Sequence, residues 1–263
     1  MLIAVGVLFI VPFVFILLTA SKTQTEAALF EFSLPTEFSL FQNLWEVIQF
    51  RDYRIILALW NSTLLTVGSV VLIVMLAAGV AFVIQRRNDR VAAIMNLLML
   101  IGLIIPPAVV PTIYVLQEIG LYKTLIGLIF VEVSIQLPFA VLILRAFLAT
   151  IPREIDEAAI IDGASAWQLF LRVIVPLLRP AIITIVVVST VIIYNDFTLP
   201  LYFLPGNENV TAQLTLFSYI SQFSSRWDLL FANVIIITIP PLIMYIFFQK
   251  QIVAGLTSGA VKG

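Results

Sequence analysis

The sequence predicts an all-α integral membrane protein that crosses the bilayer about six times. Of its 263 residues, 62% are hydrophobic and only 11% are charged, and the mean hydropathy is +1.12. A soluble protein of this length would be about 45–50% apolar and about 25% charged. The apolar residues form runs close to the roughly 20 residues that a helix needs to span lipid. The alternating pattern of a membrane barrel is absent, so we interpret the runs as helices, whose backbone polar groups are satisfied internally.

Six apolar runs define the expected spans. They cover residues 1–20, 62–84, 91 to about 114, 124–148, 178–199 and 229–248. The first run also fits a secretory signal peptide, although no basic region precedes it, and this disfavours the signal interpretation. The third helix should be broken by Pro106, Pro107 and Pro111, and the fourth kinked by Pro138, because proline removes a hydrogen bond of the helix. Such breaks could act as hinges or simply shape a cavity.

The composition excludes several kinds of chemistry. The chain has no cysteine and no histidine, so disulfides, thiolate chemistry and the commonest metal ligand are absent. We therefore predict no catalytic residue and no metal site. The net charge of −1 argues against a nucleic-acid partner. No Gly-x-x-x-x-Gly-Lys-Ser/Thr loop occurs, so any energy for transport must come from a partner subunit or from an ion gradient.

The basic residues predict an orientation, since cytoplasmic loops carry an excess of Lys and Arg. One set of loops holds nine of the 14: Arg86, Arg87, Arg90, Arg145, Arg153, Arg172, Arg179, Lys250 and Lys262. The opposite set holds five: Lys22, Arg51, Arg54, Lys123 and Arg226. The side with nine should be cytoplasmic, which places both termini inside the cell.

The largest segment on the predicted cytoplasmic side, residues 149–177, has the pattern of a helix-turn-helix. Pro152 suits a helix start, and Gly163 can take a positive φ and end that helix. A second helix should run from about 165 to 175 and stop at Pro176. The first turns hold acidic residues that suit the helix dipole: Glu154, Asp156 and Glu157. From the pattern alone, this could be a helix that docks closely on another protein or a solvated connection between two spans.

The same segment resembles the "EAA" loop of ABC importer permeases. The resemblance rests on Glu157-Ala158-Ala159, Asp162-Gly163-Ala164, Ile174, Pro176 and Pro180. The C-terminal residues 255–263 are similar to the tail of the maltose-type carbohydrate branch. Further similarities are Asn61-Ser62, the Leu-Pro-Phe of residues 137–139, and Asn195-Asp196. The resemblance covers nearly the whole chain, but the short basic lead-in usual in the family is missing at the N-terminus, which a trimmed start site would explain.

The resemblance implies a type I ABC importer permease, with residues 1–263 as one transmembrane domain and 149–177 as its cytoplasmic EAA coupling loop. Such a subunit is not itself an enzyme and carries no cofactor, because ATP and Mg bind a separate ATPase dimer. The implied partners are that ATPase, a second permease subunit in a heterodimer, an extracytoplasmic solute-binding protein and membrane lipid. The implied activity is carbohydrate import by alternating access across the bacterial cytoplasmic (inner) membrane.

Two groups of residues are candidates for these roles. The resemblance implies that Glu157, Ala158, Ala159, Asp162, Gly163 and Ala164 couple the permease to the ATPase. Glu157 could instead serve only as a first-turn partner of the helix dipole. Polar residues inside spans usually face the bundle interior or water, so Glu132, Asn195 and Asp196 are candidates for the substrate path or an outer gate. The alternatives for these three are interfacial solvation, hydrogen bonding between helices, or a polar partner on the second permease subunit.

Two other classes of protein compete with the importer. A gradient-driven secondary transporter would show inverted repeats and acidic or histidine relays, and we find no paired halves. An intramembrane enzyme without Cys or His would need a Ser/Lys or Asp/Asp pair, and no convincing pair exists. Within the importer class, a non-sugar solute is a further alternative.

Overall fold

The computed structural model describes the backbone of residues 2–220 and 225–260, and the side chains of residues 8–220 and 225–249. The elements are α1 (Leu2–Ala20), α2 (Gln24–Ala27), α3 (Leu40–Arg86), α4 (Arg90–Ile104), α5 (Val109–Glu118), α6 (Leu125–Leu148), α7 (Glu154–Ile161), α8 (Ala166–Gln168), a π-helix (Leu169–Ile174), α9 (Val175–Leu177), α10 (Arg179–Asn195), α11 (Thr198–Phe203), a 3₁₀ helix (Gln213–Tyr219) and α12 (Trp227–Ala260). This part of the chain contains no strand, which confirms the predicted all-α class. Residues 261–263 of the family-like tail lie outside the described residues, as do the side chains of Lys250 and Lys262.

The apolar helices account for the predicted membrane spans. Three of them are long and apolar enough to cross a bilayer: Leu40–Arg86, Leu125–Leu148 and Trp227–Gln249. The backbone of α3 leaves the helical region at residues 50–53, so α3 consists of two helices joined at a kink, and the run predicted at 62–84 lies in the second. Two bent helix pairs raise the number to five if each pair counts as one span. The first predicted run forms α1, which includes the apolar stretch Leu8–Ala20. The described residues therefore provide three to five candidate spans in addition to this apolar helix.

The third predicted run is not one straight helix. Helix α4 ends at Ile104, α5 begins at Val109, and the two axes are bent by 118°. Pro106 and Pro107 lie in the break, as expected from their lack of an N–H donor. Pro111 does not contribute to the break, since it is the third residue of α5, where a helix needs no donor. Pro138 does not interrupt α6, which runs through it.

The described residues group into two compact units, of which unit 1 contains residues 2–64, 195–220 and 225–244. Its buried cluster contains Ala20, Val47, Tyr219, Leu229 and Ala232. The Asn61 side chain donates to the Val210 carbonyl at 3.0 Å, and the Ala212 N–H donates to Ser62 Oγ at 2.8 Å. These two bonds attach the loop before the 3₁₀ helix to α3. Asn61 and Ser62 thus have a structural role that the sequence did not reveal.

The loop after α1, within unit 1, is organised around a buried lysine. Lys22 is only 2% exposed, and its Nζ donates to the Glu31 carbonyl at 2.6 Å and to Ser33 Oγ at 3.0 Å. The Asn43 side chain donates to the carbonyls of Ala20 and Lys22 at 2.9 Å each. A buried ammonium is tolerated only when its protons are bound, so this network fixes the loop.

Unit 2 contains residues 65–194 and the described residues from 245 onward. Its core includes Leu128, Leu144, Leu148, Ile174 and Leu178, all fully buried. Helices α4 and α6 pack closely at Gly102, where an added Cβ would lie 3.0 Å from Pro138 Cγ. The residue before α6 caps it, as Thr124 Oγ1 accepts from the Gly127 N–H at 3.0 Å. Unit 2 also holds the whole of the segment 149–177.

Candidate functional site

The first arm of the helix-turn-helix is α7, which exposes every side chain at least in part. The helix begins at Glu154, two residues later than Pro152, which precedes the N-cap residue Arg153. Glu154, Asp156 and Glu157 occupy the first turn, as predicted. No residue of α7 is buried. Burial of side chains therefore contributes little to the stability of α7, and its position depends on the contacts made near its two ends.

The turn after α7 is a Schellman motif centred on Gly163. Gly163 has φ +82°, and its N–H donates to the Ile160 carbonyl at 3.0 Å. The Ala164 N–H donates to the Ala159 carbonyl at 2.9 Å. This pair of bonds defines the motif and satisfies the last carbonyls of the helix. The predicted helix end at Gly163 is thereby confirmed, with Asp162 as the C-cap residue.

The second arm starts as predicted but ends differently. Ser165 and Gln168 form a capping box, in which Ser165 Oγ accepts from the Gln168 N–H and Gln168 Oε1 accepts from the Ser165 N–H at 2.8 Å. The prediction that Pro176 stops this helix is wrong, because Pro176 lies inside α9. The residues just before α9 form the π-helix Leu169–Ile174. In an α-helix the Pro176 ring would clash with the carbonyl four positions earlier, and the wider turn of a π-helix relieves that clash, so the helix continues through Pro176. The helix breaks only at Leu178, where α10 is bent away by 71°.

The last turns of α3 contact both arms. Arg86 Nε lies 2.7 Å from Asp156 Oδ2, and Arg86 Nη2 donates to Asp156 Oδ1 at 3.2 Å. The terminal nitrogens of Arg86 also donate to the Ile151 carbonyl, at 3.3 and 3.4 Å. Phe82 meets Phe170 of the second arm with ring centroids 5.3 Å apart. The helix-turn-helix is therefore attached at two points to one end of α3.

The free surface of the helix-turn-helix is strongly apolar around the turn. Ile161 is 85% exposed and Trp167 is 68% exposed, with Ile160 also exposed. Four of the six residues predicted to couple the permease to the ATPase are exposed, namely Glu157, Ala158, Asp162 and Gly163. The other two, Ala159 and Ala164, are partly buried. Large apolar groups exposed together beside small ones form a surface suited to another protein. Sequence reasoning missed Ile160, Ile161 and Trp167, although large apolar residues on both sides of the predicted turn in a loop segment were a usable signal.

The residues predicted for a substrate path do not form one cluster within a unit. Glu132 belongs to α6 in unit 2 and is only 1% exposed. Asn195 and Asp196 belong to unit 1. The Asp196 carboxylate accepts from the N–H of Thr198, the first residue of α11, at 2.8 Å, while the Asn195 side chain accepts from Gln213 at 3.2 Å. Among the described residues, no cluster of three or more acidic side chains could hold a metal ion.

Comparison with known proteins shows to which family this chain belongs. Residues 70–258 match the family described as the binding-protein-dependent transport system inner membrane component. That match covers well over half of the chain, which therefore belongs to this family of transporter permease subunits and is a multi-pass inner-membrane protein. Members of the family are transport subunits that are not themselves enzymes.

Several relatives resemble the chain along almost its full length. It is 29% identical over 268 residues to the diacetylchitobiose uptake system permease protein NgcG of Streptomyces coelicolor. That alignment covers 100% of this chain and 87% of NgcG. It is 30% identical over 264 residues to the probable starch degradation products transport system permease protein AmyC of Thermoanaerobacterium thermosulfurigenes, covering 99% of this chain and 94% of AmyC.

Solved structures share the fold. A chain of a bacterial ABC transporter involved in the import of the acidic polysaccharide alginate aligns with a TM-score of 0.82 at 19% identity. The alignment covers 95% of this chain and 92% of that one. A bacterial alginate ABC transporter in complex with an alginate pentasaccharide-bound periplasmic protein aligns with a TM-score of 0.65 at 16% identity, over 79% of this chain and 80% of that one. The all-α fold is thus that of a type I ABC importer permease.

Proposed function

We propose that this chain is a permease subunit of an ATP-driven importer of carbohydrates. The observation that carries the proposal is the helix-turn-helix of residues 149–177, with its exposed apolar turn and its attachment to α3. Family membership supports import with a binding protein, and the relatives named for diacetylchitobiose and for starch degradation products support a sugar. The assembly would contain a second permease subunit, an ATPase dimer that binds ATP and Mg, and an extracytoplasmic solute-binding protein.

The helix-turn-helix acts as the coupling loop. The ATPase receives the surface around the Schellman turn, where Ala158, Ala159 and Ala164 allow close approach and Glu157 makes a polar contact. Ile161 and Trp167 add apolar area that is buried only on docking. When the ATPase closes on ATP, it carries the helix-turn-helix with it and shifts the spans between inward-facing and outward-facing states.

The coupling role can be tested at two positions. Replacing Gly163 by a bulky residue such as Leu should distort the turn, since φ +82° disfavours a side chain, and Glu157→Lys should reverse the polar contact. Both variants should lose sugar uptake and retain less ATPase on co-purification. Gly79→Leu, at a helical position with open space around it, serves as the matched control. Normal uptake and normal co-purification in both variants would refute the coupling loop.

The orientation follows from the excess of basic residues on the side that carries residues 149–177. We propose that this segment and both termini are cytoplasmic. The chain has no cysteine, so each introduced cysteine is unique. A membrane-impermeant thiol reagent should label Glu37→Cys in intact cells, and Arg153→Cys only after permeabilisation. Both native side chains are exposed, and the opposite labelling pattern would overturn the orientation.

Glu132, Asn195 and Asp196 are proposed to line the substrate path or its outer gate. The burial of a carboxylate within an apolar helix supports a functional role for Glu132, because such groups are costly in a span. Single cysteines at Asn195 and Asp196 should react with small water-soluble reagents, and a cysteine at the buried Glu132 position should react during ATP-driven transport, when the spans move. The transported sugar should slow these reactions. Lack of reaction at all three would remove this proposal. Sugar identity is best measured by binding assays on the cognate solute-binding protein.

A further inference from the structure

The last turns of α3 form a two-point attachment to the helix-turn-helix. Phe82 and Arg86 are four residues apart, which places them on the same face of the helix. Arg86 binds the first arm through Asp156 and the Ile151 carbonyl, and Phe82 contacts the second arm through Phe170. One face of one helix therefore contacts both arms.

The Arg86–Asp156 pair differs from an ordinary surface ion pair. The two side chains are 12% and 14% exposed, and the guanidinium faces both carboxylate oxygens as well as a backbone carbonyl. Shielded ion pairs with several hydrogen bonds hold a fixed geometry, whereas exposed pairs contribute little. The neighbouring pair Arg87–Asp89 is of the exposed kind, with 56% and 40% exposure.

The first arm needs such an attachment more than the second does. No residue of α7 is buried, whereas the second arm buries Leu169 and Ile174. Among the described residues, the polar side-chain link from α7 to another helix is the one made by Asp156. Without it, α7 would remain joined to the protein by its chain connections and by contacts with the second arm.

We propose that Arg86 is a positioning residue that transmits movement of the helix-turn-helix to α3. Together, Arg86 and Phe82 make the helix-turn-helix and the end of α3 move as one body. Because α3 is itself a candidate span, a displacement imposed at the turn reaches the membrane through this helix as well as through the connections to α6 and α10. This inference rests on the proposed function of residues 149–177 as the coupling loop.

The test uses the complete transporter with its ATPase and binding protein in lipid vesicles. The variants are Arg86→Asp, Asp156→Arg and the double exchange, with Arg87→Asp as a control of the same charge change one residue away. Both single variants should still co-purify with the ATPase, but sugar uptake per ATP hydrolysed should fall roughly tenfold, within the usual range of coupling between sites. The double exchange should restore most of the loss, and Arg87→Asp should behave like the parent.

Arg86→Lys provides a graded variant, because lysine keeps the charge but lacks the planar fork that binds two oxygens. It should couple better than Arg86→Asp and worse than the parent. If Arg86→Asp does not fold, Asp156→Asn removes the charge at nearly constant shape and should give the same uncoupling.

Three results would overturn the inference: normal uptake per ATP in the folded single variants, loss of the ATPase from them, or no recovery in the double exchange. A parent protein that does not bind the ATPase at all would instead contradict the proposed function. The two failures are therefore distinguishable.

Discussion

Gly163 and Gly79 show how backbone conformation and space act separately on a single residue. An added Cβ would meet nothing within 4 Å at either position. Gly163 has φ +82°, however, whereas Gly79 lies in the regular part of α3. A side chain at Gly163 would therefore be disfavoured by the left-handed backbone rather than by neighbouring atoms.

The matched pair Gly163→Ala and Gly79→Ala gives a prediction at this scale. Gly163→Ala should cost about 1 kcal/mol of local stability, seen as faster hydrogen exchange at the N–H groups of Gly163 and Ala164. Gly79→Ala should be neutral or stabilise the protein by up to about 0.8 kcal/mol, since alanine favours helix. Gly163→Asn should be milder than Gly163→Ala, because asparagine tolerates the left-handed region. Equal exchange rates in the two alanine variants would contradict this explanation.

Gly127 presents the opposite situation, in which space is the limit. An added Cβ would lie 2.2 Å from the Leu121 carbonyl oxygen, which is backbone and cannot move aside easily. Gly127→Ala should therefore destabilise the start of α6 by about 1–3 kcal/mol through overpacking. Thermal unfolding of the purified protein measures the effect, and Gly79→Ala again provides the control. An unchanged melting temperature would show that the turn before α6 can relax.

At the scale of elements, the two arms of the helix-turn-helix begin and end by different devices. The first arm ends in a Schellman motif, and the second begins in the Ser165–Gln168 capping box. The π-helical turns then carry the second arm through Pro176. Only two residues, Gly163 and Ala164, separate the C-cap Asp162 from the N-cap Ser165, so both caps contribute to the angle between the arms.

Removing the second cap should loosen the second arm alone. Ser165→Ala should cost about 1 kcal/mol, and exchange of the Gln168 N–H should accelerate. Ser165→Asp should preserve the cap, because an aspartate oxygen accepts the same bond. Ser134→Ala in α6 is a suitable control, since it removes only a hydroxyl bond to the Val131 carbonyl within a helix. Unchanged exchange at Gln168 in Ser165→Ala would show that the π-helical segment holds the arm without its cap.

At the scale of the whole chain, unit 1 joins segments that are distant in sequence. Arg226 donates to Glu46 at 2.8 Å and to Asp228 at 2.8 Å, and the Asp228 side chain is only 2% exposed. The pKa of the Arg226 guanidinium lies above its usual value, first because it donates to Asp228 and next because it donates to Glu46. Arg226 therefore connects the start of α12 to the start of α3, 180 residues earlier.

Arg226→Met should destabilise unit 1 by about 3 kcal/mol, because it leaves the buried Asp228 carboxylate without its cation. Adding Asp228→Asn should recover part of the loss, since the charge that needed compensation is gone. Thermal unfolding in detergent measures both effects. Arg87→Met, which breaks an exposed pair, should change stability by less than about 1 kcal/mol. A loss in Arg226→Met no larger than in this control would mean that solvent already screens the network.

The features that the sequence predicted are local ones. The predicted start of α6 at Thr124 and its end at Leu148 agree with the structure, because a capping side chain and an apolar run mark them directly. The turn at Gly163 was predictable because a glycine after a short helical stretch can take the positive φ that ends a helix. The pair Arg86–Asp156 could not be predicted, since 70 residues separate the partners and only the packing of α3 against the helix-turn-helix joins them. The 118° bend between α4 and α5 was indicated by its prolines, but its size depends on the neighbouring helices.

The buried ammonium of Lys22 has a consequence for encounters at the surface of unit 1. A flexible segment loses conformational entropy when a partner orders it, and that loss weakens binding. Here an internal cation already holds the carbonyl of Glu31 and the hydroxyl of Ser33, so the ordering has taken place during folding. A molecule that bound this loop would therefore have a smaller loss of conformational entropy to offset than one that bound a flexible loop.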